Sequence, residues 1–413
     1  MSNKPHSLDY FQITQIFILF LSLYFFFRFG IHFFLNDSSR IPKDFFVYWV
    51  TSQRLETGES IYQVSDGSPF KYAPIFAYFF RYTFFLLNQK LAAGIWMTGS
   101  LIFFLLSWHH WIQFLYSKII PRNDPRPFIF TLIGVAIGWK GFLETVSYGQ
   151  IDLFLLGACL LAFSPSDKLK VGFRTLLVGA ILSIKPQLAI LGLPFLMIFG
   201  LKQTLLAAIT TFIFYSLPFL FLDFSETTTL FQSWVVVLQK QSSEVLSNHI
   251  NQNIGAVAAR ITGNVSSAGH FIYGGLGILA IFYLFLLFKH LNKISWTSNR
   301  ASQKKEVFFW ISFGLSSYLV FNPLSWRWLT FLWVPLLVFL WLNVESRKLK
   351  HCIILSIFWG FLIKFQDPLN KITGVDDATS FLGLFLVPSM IFWLISSYVL
   401  LSKKEVPEIN SSS

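Results

Sequence analysis

The first residue that could do chemistry is Asp44, in the stretch IPKDFFVYW (residues 41–49). It follows the first long apolar run and precedes several aromatic residues, which places its carboxylate at the edge of a membrane. Position alone leaves two interpretations open. Asp44 either caps the helix that follows by accepting backbone N–H groups, or acts as a catalytic group at the height of the lipid headgroups.

Polar residues also interrupt two later apolar segments. Gln150 and Asp152 in YGQIDLFLL stand at the start of an apolar helix, where Asp152 either complements the helix dipole or serves a site. Lys185, followed by Pro186 in ILSIKPQLAIL, predicts a broken helix whose ammonium group needs an anion. The alternatives for Lys185 are snorkelling to the surface and contact with a phosphate.

Two further segments carry candidate ligand-binding residues. The stretch EVLSNHINQNIGAVAARITG (244–263) includes His249, Asn251 and Asn253. These side chains either bind a hydroxyl-rich ligand or are ordinary solvated loop residues. In YLVFNPLSWRWLTFLWVP, Arg327 lies between two tryptophans, where it either clamps a phosphate or stacks on the rings as an interface anchor.

Membrane-spanning helices must position these residues. Of the 413 residues, 54% are hydrophobic and 13% charged, whereas about 25% are charged in an average soluble domain. We therefore predict an all-α polytopic membrane protein. The net charge of +12 comes from Lys and Arg in short loops and indicates no nucleic-acid surface. Cys159 and Cys352 lie in apolar segments and indicate neither a disulfide framework nor a metal site.

Residues 1–413 are expected to form one integral membrane domain of about ten to twelve spans. The first apolar run lacks a small-residue cleavage site and is predicted to be a retained signal anchor. Several apolar segments are shorter than the roughly 20 residues that a crossing requires. The candidate segments are 11–33, 92–116, 128–142, 150–165, 173–184, 187–201, 203–222, 269–288, 307–321, 327–343, 351–365 and 380–401.

The basic residues set the predicted orientation, because cytoplasmic loops carry an excess of Lys and Arg. This excess places both termini in the cytoplasm, with 402–413 as a cytoplasmic tail, and the polar candidates on the outer (periplasmic or extracellular) face of the cell inner membrane. The outer segments include a first loop, 34–91, and a second large loop, 223–268. In the first loop we expect interfacial helices, one closing at Gly58 with its aromatic residues along the headgroups. The stretch 68–87 is expected to be an in-plane or re-entrant element.

Taken in order, these segments resemble glycosyltransferase family 87. Its members are polyprenyl-phosphate-dependent sugar transferases of the GT-C superfamily, and the best known are alpha-1,2-mannosyltransferases. The resemblance covers most of the chain. It is carried by DFFVYWVTSQRLETGESIY, KYAPIFAYFF, YGQIDLFLL, IKPQLAILGLPFL, NQNIGAVAARITG and NPLSWRWLTFLWVP.

The resemblance implies a GT-C type bundle that transfers a hexose, with mannose expected, from a polyprenyl-phosphate donor to a lipid or glycan acceptor. It implies that Asp44 is the general base. Residues expected at the donor phosphate and sugar are Tyr72, Lys185, Arg260 and Arg327, and those expected to line the acceptor cavity are Gln150, Asp152, His249, Asn251 and Asn253. Two departures stand out: Asp152 replaces the Asn usual in the family, and SWRW replaces a motif that commonly carries histidines.

The expected reaction needs only one carboxylate. A lipid phosphate is a good leaving group, so a single base that deprotonates the attacking hydroxyl suffices, whereas glycosidases need two carboxylates. Direct attack opposite the phosphate inverts the anomeric centre. Lys185 and Arg327 would stabilise the developing phosphate charge. We therefore expect neither a metal nor another cofactor, and no nucleic acid or required protein partner besides the surrounding lipids.

Two other function classes remain as alternatives. A transporter or flippase of lipid-linked sugars would place polar residues near the centres of the spans, whereas here they gather at one face. A non-catalytic scaffold or a polysaccharide polymerase is the second alternative. The polymerase would suit an Arg-rich outer loop, and segment 223–268 has only Arg260.

Overall fold

Helices make up the regular structure of the part of the chain that the computed structural model describes. Described are residues 8–35, 41–164, 169–239, 251–291, 294, 304–322, 329, 332–362 and 386–402. The first eight α-helices are α1 Tyr10–Phe25, α2 His32–Leu35, α3 Lys43–Thr57, α4 Pro74–Thr83, α5 Gln89–Lys118, α6 Arg126–Tyr148, α7 Asp152–Phe163 and α8 Val171–Ile184. The next nine are α9 Gly192–Phe199, α10 Leu201–Ser216, α11 Phe224–Gln239, α12 Ile254–Ile261, α13 Ala268–Lys289, α14 Lys304–Phe321, α15 Trp333–Asn343, α16 Arg347–Leu362 and α17 Leu386–Leu401.

Five stretches of the described residues are long and apolar enough to cross a membrane. They are Tyr10–Ile31, Gln89–Lys118, Arg126–Tyr148, Leu201–Leu220 and Ala268–Lys289. Shorter apolar helices accompany them, at Asp152–Phe163, Val171–Ile184, Pro186–Phe199, Val307–Phe321, Trp333–Asn343 and Leu386–Leu401. The prediction of an all-α polytopic membrane protein is confirmed.

The core of the bundle forms where α7 packs between α5 and α8. Trp111 Nε1 on α5 donates a hydrogen bond of 2.6 Å to the carbonyl oxygen of Leu160 on α7. Gly157 allows the close approach, because a Cβ there would lie 3.1 Å from Cα of Phe104. By contrast, α10 and α13 expose large apolar side chains such as Phe212 and Ile281, as surfaces that face lipid do.

The predicted helix break at Lys185-Pro186 is confirmed. Helix α8 ends at Ile184, and Lys185 leaves helical geometry with φ −134° and ψ 83°. A 3₁₀ segment, Pro186–Leu191, follows before α9 begins. Proline disfavours helical geometry at the residue before it, and it cannot donate a backbone hydrogen bond.

The first predicted outer loop folds as the pair α3 and α4. Helix α3 ends at Gly58, whose φ of 73° is left-handed, as the sequence predicted, and α4 is too short to cross a membrane. The expectation that the aromatics of α3 lie along the headgroups is wrong for Phe45 and Tyr48, which are buried. Both occupy one face of the helix, and Tyr48 packs edge-on against Phe76 of α4 and Trp96 of α5.

Candidate active site

The turn between α6 and α7 packs directly on the start of α3. Gly149 in this turn has φ 69°, and a Cβ there would lie 2.9 Å from Cβ of Phe45 and 3.0 Å from Cβ of Pro42. Trp96 Nε1 fixes the turn by donating to the Gly149 carbonyl oxygen over 2.7 Å. Only glycine combines this backbone conformation with so close a contact, and the contact brings Gln150 to Asp44.

Asp44 is held by a side chain from another helix end. It lies in the first turn of α3, where its charge complements the helix dipole, but the N-cap position itself is occupied by Pro42. The side chain of Gln150 lies within reach of its carboxyl group and lowers the pKa of Asp44. Gln150 is itself buried, which fixes the geometry of the pair.

The surroundings of Asp44 suit a general base. The pKa of Asp44 is raised to about 6. Burial is the largest cause, and the charge of Asp152 acts in the same direction, whereas the Gln150 side chain acts against it. Lys43 and Lys71 act in the lowering direction. A carboxyl group with this pKa is ionised at neutral pH and is a stronger base than an ordinary aspartate.

The ammonium group of Lys185 forms an ion pair with a side chain of the same protein, Asp152. Its Nζ lies 2.5 Å from Oδ1 of Asp152, and the two side chains are only 14% and 10% exposed. The ammonium also lies 5.9 Å from the ring centroid of Tyr318 on α14. Snorkelling of Lys185 to the surface is therefore wrong. Asp152, the first residue of α7, serves as an ion-pair partner in addition to any effect on the helix dipole.

Tyr72 lies near both carboxyl groups, those of Asp44 and Asp152. The Tyr48 hydroxyl donates to the Tyr72 hydroxyl over 3.1 Å. The charges of Lys185, Asp152 and Asp44 all act on Tyr72, so its phenol lies within electrostatic reach of both acids. The backbone around it is joined to the end of α8 by the hydrogen bond from the Ala73 N–H to the carbonyl oxygen of Ile184, at 3.5 Å. Asp44, Tyr72, Gln150, Asp152 and Lys185 thus form one site.

The amide-rich segment has a local structural role. Asn253 is the N-cap of α12 and accepts from the backbone N–H of Gly255 over 2.7 Å. Its Nδ2 donates to the carbonyl oxygen of Asn322 over 2.9 Å, and Asn251 Oδ1 accepts from the Asn253 N–H. Asn322 follows Tyr318 by one turn, so this segment is attached to the helix end that carries Tyr318.

Of the remaining predicted residues, only Arg260 lies within the described part of the chain. Arg260 is buried on α12. His249 and Arg327 lie outside the described residues. Among the described residues, no three His, Cys, Asp or Glu side chains group closely enough to hold a metal ion, and the expectation of metal independence stays a prediction.

Three residues that the sequence analysis did not select lie at the site. Lys71 is partly buried, and its charge acts on Asp44. The sequence feature that could have identified Lys71 is its position as a cation in the aromatic stretch 68–87, which prolines interrupt. Tyr48 and Tyr318 carried no distinguishing signal, because the chain has 14 tyrosines and only tertiary packing brings these two to the charged groups.

Comparison with known proteins gives one family. A family model described as Glycosyltransferase family 87 matches residues 70–301. The matched range includes Tyr72, Gln150, Asp152 and Lys185 but not Asp44, so the assignment of Asp44 to this site depends on its geometry. A search of curated proteins found no match to the chain.

Proposed function

Because the chain belongs to glycosyltransferase family 87, we propose that it transfers a hexose from a polyprenyl-phosphate donor to a hydroxyl of a lipid or glycan acceptor. Membership of the family makes it a membrane glycosyltransferase and favours transfer over transport. We further propose mannose as the sugar, the outer face of the membrane as the location and inversion as the stereochemical result.

The observation that carries this proposal is the different environment of the two carboxylates. Asp152 forms an ion pair with Lys185 at 2.5 Å, whereas the side chain acting most strongly on Asp44 is the neutral amide of Gln150. One acid is therefore neutralised by an ammonium group, and the other is left to take a proton. A single base is what transfer from a lipid phosphate requires, since the leaving group needs no acid.

In the proposed reaction, the acceptor hydroxyl attacks the anomeric carbon while Asp44 removes its proton. The bond from the anomeric carbon to the phosphate oxygen breaks, and its electrons stay on the lipid phosphate. Lys71 and Lys185 are two of the described cations that act on this site, beside the exposed Lys43. They would stabilise the developing charge, because fixed charges cost no reorganisation during reaction.

The other predicted residues keep their proposed roles. Tyr72 would position the donor between the two carboxylates, and Gln150 would hold the base. Arg260 and Arg327 are proposed for the donor. His249, Asn251 and Asn253 are proposed for the acceptor side, where Asn251 and Asn253 would act through the fold of their segment.

The proposal is tested by transfer assays with a panel of polyprenyl-phosphate sugars and membrane extracts as acceptor. For Asp44→Asn we expect kcat to fall by about 10²–10⁴-fold, the usual contribution of a general base. Asp223→Asn, which changes an exposed aspartate at the start of α11, is the matched control and should keep activity. Full activity of a stably folded Asp44→Asn protein would falsify the base assignment. Transfer from a nucleotide sugar alone would overturn the donor class.

A further inference from the structure

The described residues bring acids and cations together at this site. Asp44 and Asp152 are acids, and Lys43, Lys71 and Lys185 are cations. The pair formed by Lys185 and Asp152 is the tightest contact among them, at 2.5 Å with little exposure of either side chain. Any anion that reaches the Lys185 ammonium therefore also meets the Asp152 carboxylate.

The proposed reaction, on which this inference rests, changes the charge of the lipid phosphate. The donor is a phosphodiester with one negative charge. When its bond to the anomeric carbon breaks, the bonding electrons stay on the phosphate oxygen, and the acceptor proton goes to Asp44. The lipid leaves as a phosphomonoester, which carries nearly two negative charges above its second pKa of about 6.

We propose that Asp152 is a specificity-determining residue that neutralises Lys185 and so prevents the site from retaining the doubly charged lipid phosphate after transfer. Coulomb energy scales with the product of the charges, so an unpaired Lys185 would attract the product about twice as strongly as the donor. When Asp152 pairs with Lys185, the attraction to both phosphates is reduced and the difference between product and donor is smaller. Since the pair is buried, dissolved salt would not remove this difference.

A purely structural role for Asp152 makes a different prediction. Asp152 starts α7, and its carboxylate would then matter only for the position of Lys185 or for the helix end. Loss of that role would weaken the binding of all phosphate ligands equally, whatever their charge. Comparing two ligands that differ by one charge therefore separates the two roles.

The experiment measures the Kd of two ligands for the full-length protein at pH 8, namely a short-chain prenyl phosphate and its methyl ester. In the wild type we expect similar Kd values for the two. In Asp152→Asn the prenyl phosphate should bind at least about tenfold more tightly than it binds the wild type. The affinity of the methyl ester should increase only by about the square root of that factor. Asp152→Glu keeps the charge and should keep the wild-type ratio.

Further variants keep the test decisive, because removing one partner of a buried ion pair destabilises a protein. Lys185→Met leaves Asp152 unpaired and should bind the prenyl phosphate more weakly than the methyl ester. Combining Lys185→Met with Asp152→Asn should restore the wild-type ratio. Equal changes for both ligands in the single variants would overturn the inference. Failure of the folded wild type to bind either ligand would instead overturn the proposed donor class, and the inference with it.

Discussion

The Gln150 side chain lies within reach of the carboxyl group of Asp44, across the contact between the α6–α7 turn and α3, and lowers its pKa. The turn is fixed by Gly149 against Phe45 and by Trp96 on its carbonyl oxygen. Gln150 would therefore act on the proposed base from a rigid support, as a positioning residue. Its amide also tunes the base, because a hydrogen bond to the carboxylate favours the charged form.

The pH dependence of the transfer reaction follows from the pKa of Asp44, which burial raises to about 6. A general base must be ionised, and the ionised fraction falls as the pH drops below this pKa. We expect log kcat/KM to be flat above about pH 6 and to fall with a slope of about one below it. Initial rates between pH 4.5 and 8 measure this profile, and a flat profile down to pH 4.5 would contradict the assignment.

Replacing Gln150 by leucine should move the acidic limb of the pH profile, which is the part at low pH where log kcat/KM falls. The Gln150 side chain lowers the pKa of Asp44, so Gln150→Leu is expected to raise this pKa and to shift the falling part of the profile to higher pH. Gln113→Leu is a matched control, because Gln113 lies on the exposed surface of α5 and contacts His109. A Gln150→Leu enzyme that loses activity equally at every pH would point to a structural role alone.

The two lysines near Asp44 are expected to respond differently to salt. Both lower the pKa of Asp44, but Lys43 is exposed whereas Lys71 is partly buried. Lys43→Met and Lys71→Met should each shift the acidic limb to higher pH in dilute buffer. In about 1 M salt, where the Debye length is near 3 Å, only the shift caused by Lys71→Met should persist. Loss of both shifts would show that Lys71 is solvent-screened.

The features predicted from the sequence are those set by local chemistry. The apolar runs predicted the spanning helices. Lys185-Pro186 predicted the helix break, because proline disfavours helical geometry at the residue before it. The partner of Lys185 is a residue of another helix, and its identification requires the packing of α7 against α8. For the same reason position alone left capping and catalysis both open at Asp44, since Gln150 approaches its carboxyl group only in the folded chain. Asn253, by contrast, directly precedes an apolar helix, which is a local signal for the capping role that the sequence analysis did not assign to it.

Gly149→Ala and Gly58→Ala form a matched pair that tests whether the α6–α7 turn supports the site. Both glycines have left-handed φ angles, 69° and 73°, but an added Cβ at Gly58 meets no atom within 4 Å, whereas one at Gly149 overlaps Phe45 and Pro42. Each alanine should cost about 1–2 kcal/mol of stability from backbone strain alone. Gly149→Ala should cost more, because α3 must move away from the turn and carry Asp44 from Gln150. Thermal unfolding together with kcat measures both effects. We expect the kcat of Gly58→Ala to equal that of the wild type and the kcat of Gly149→Ala to be much lower. Equal kcat values in the two variants would show that the α6–α7 turn does not support catalysis.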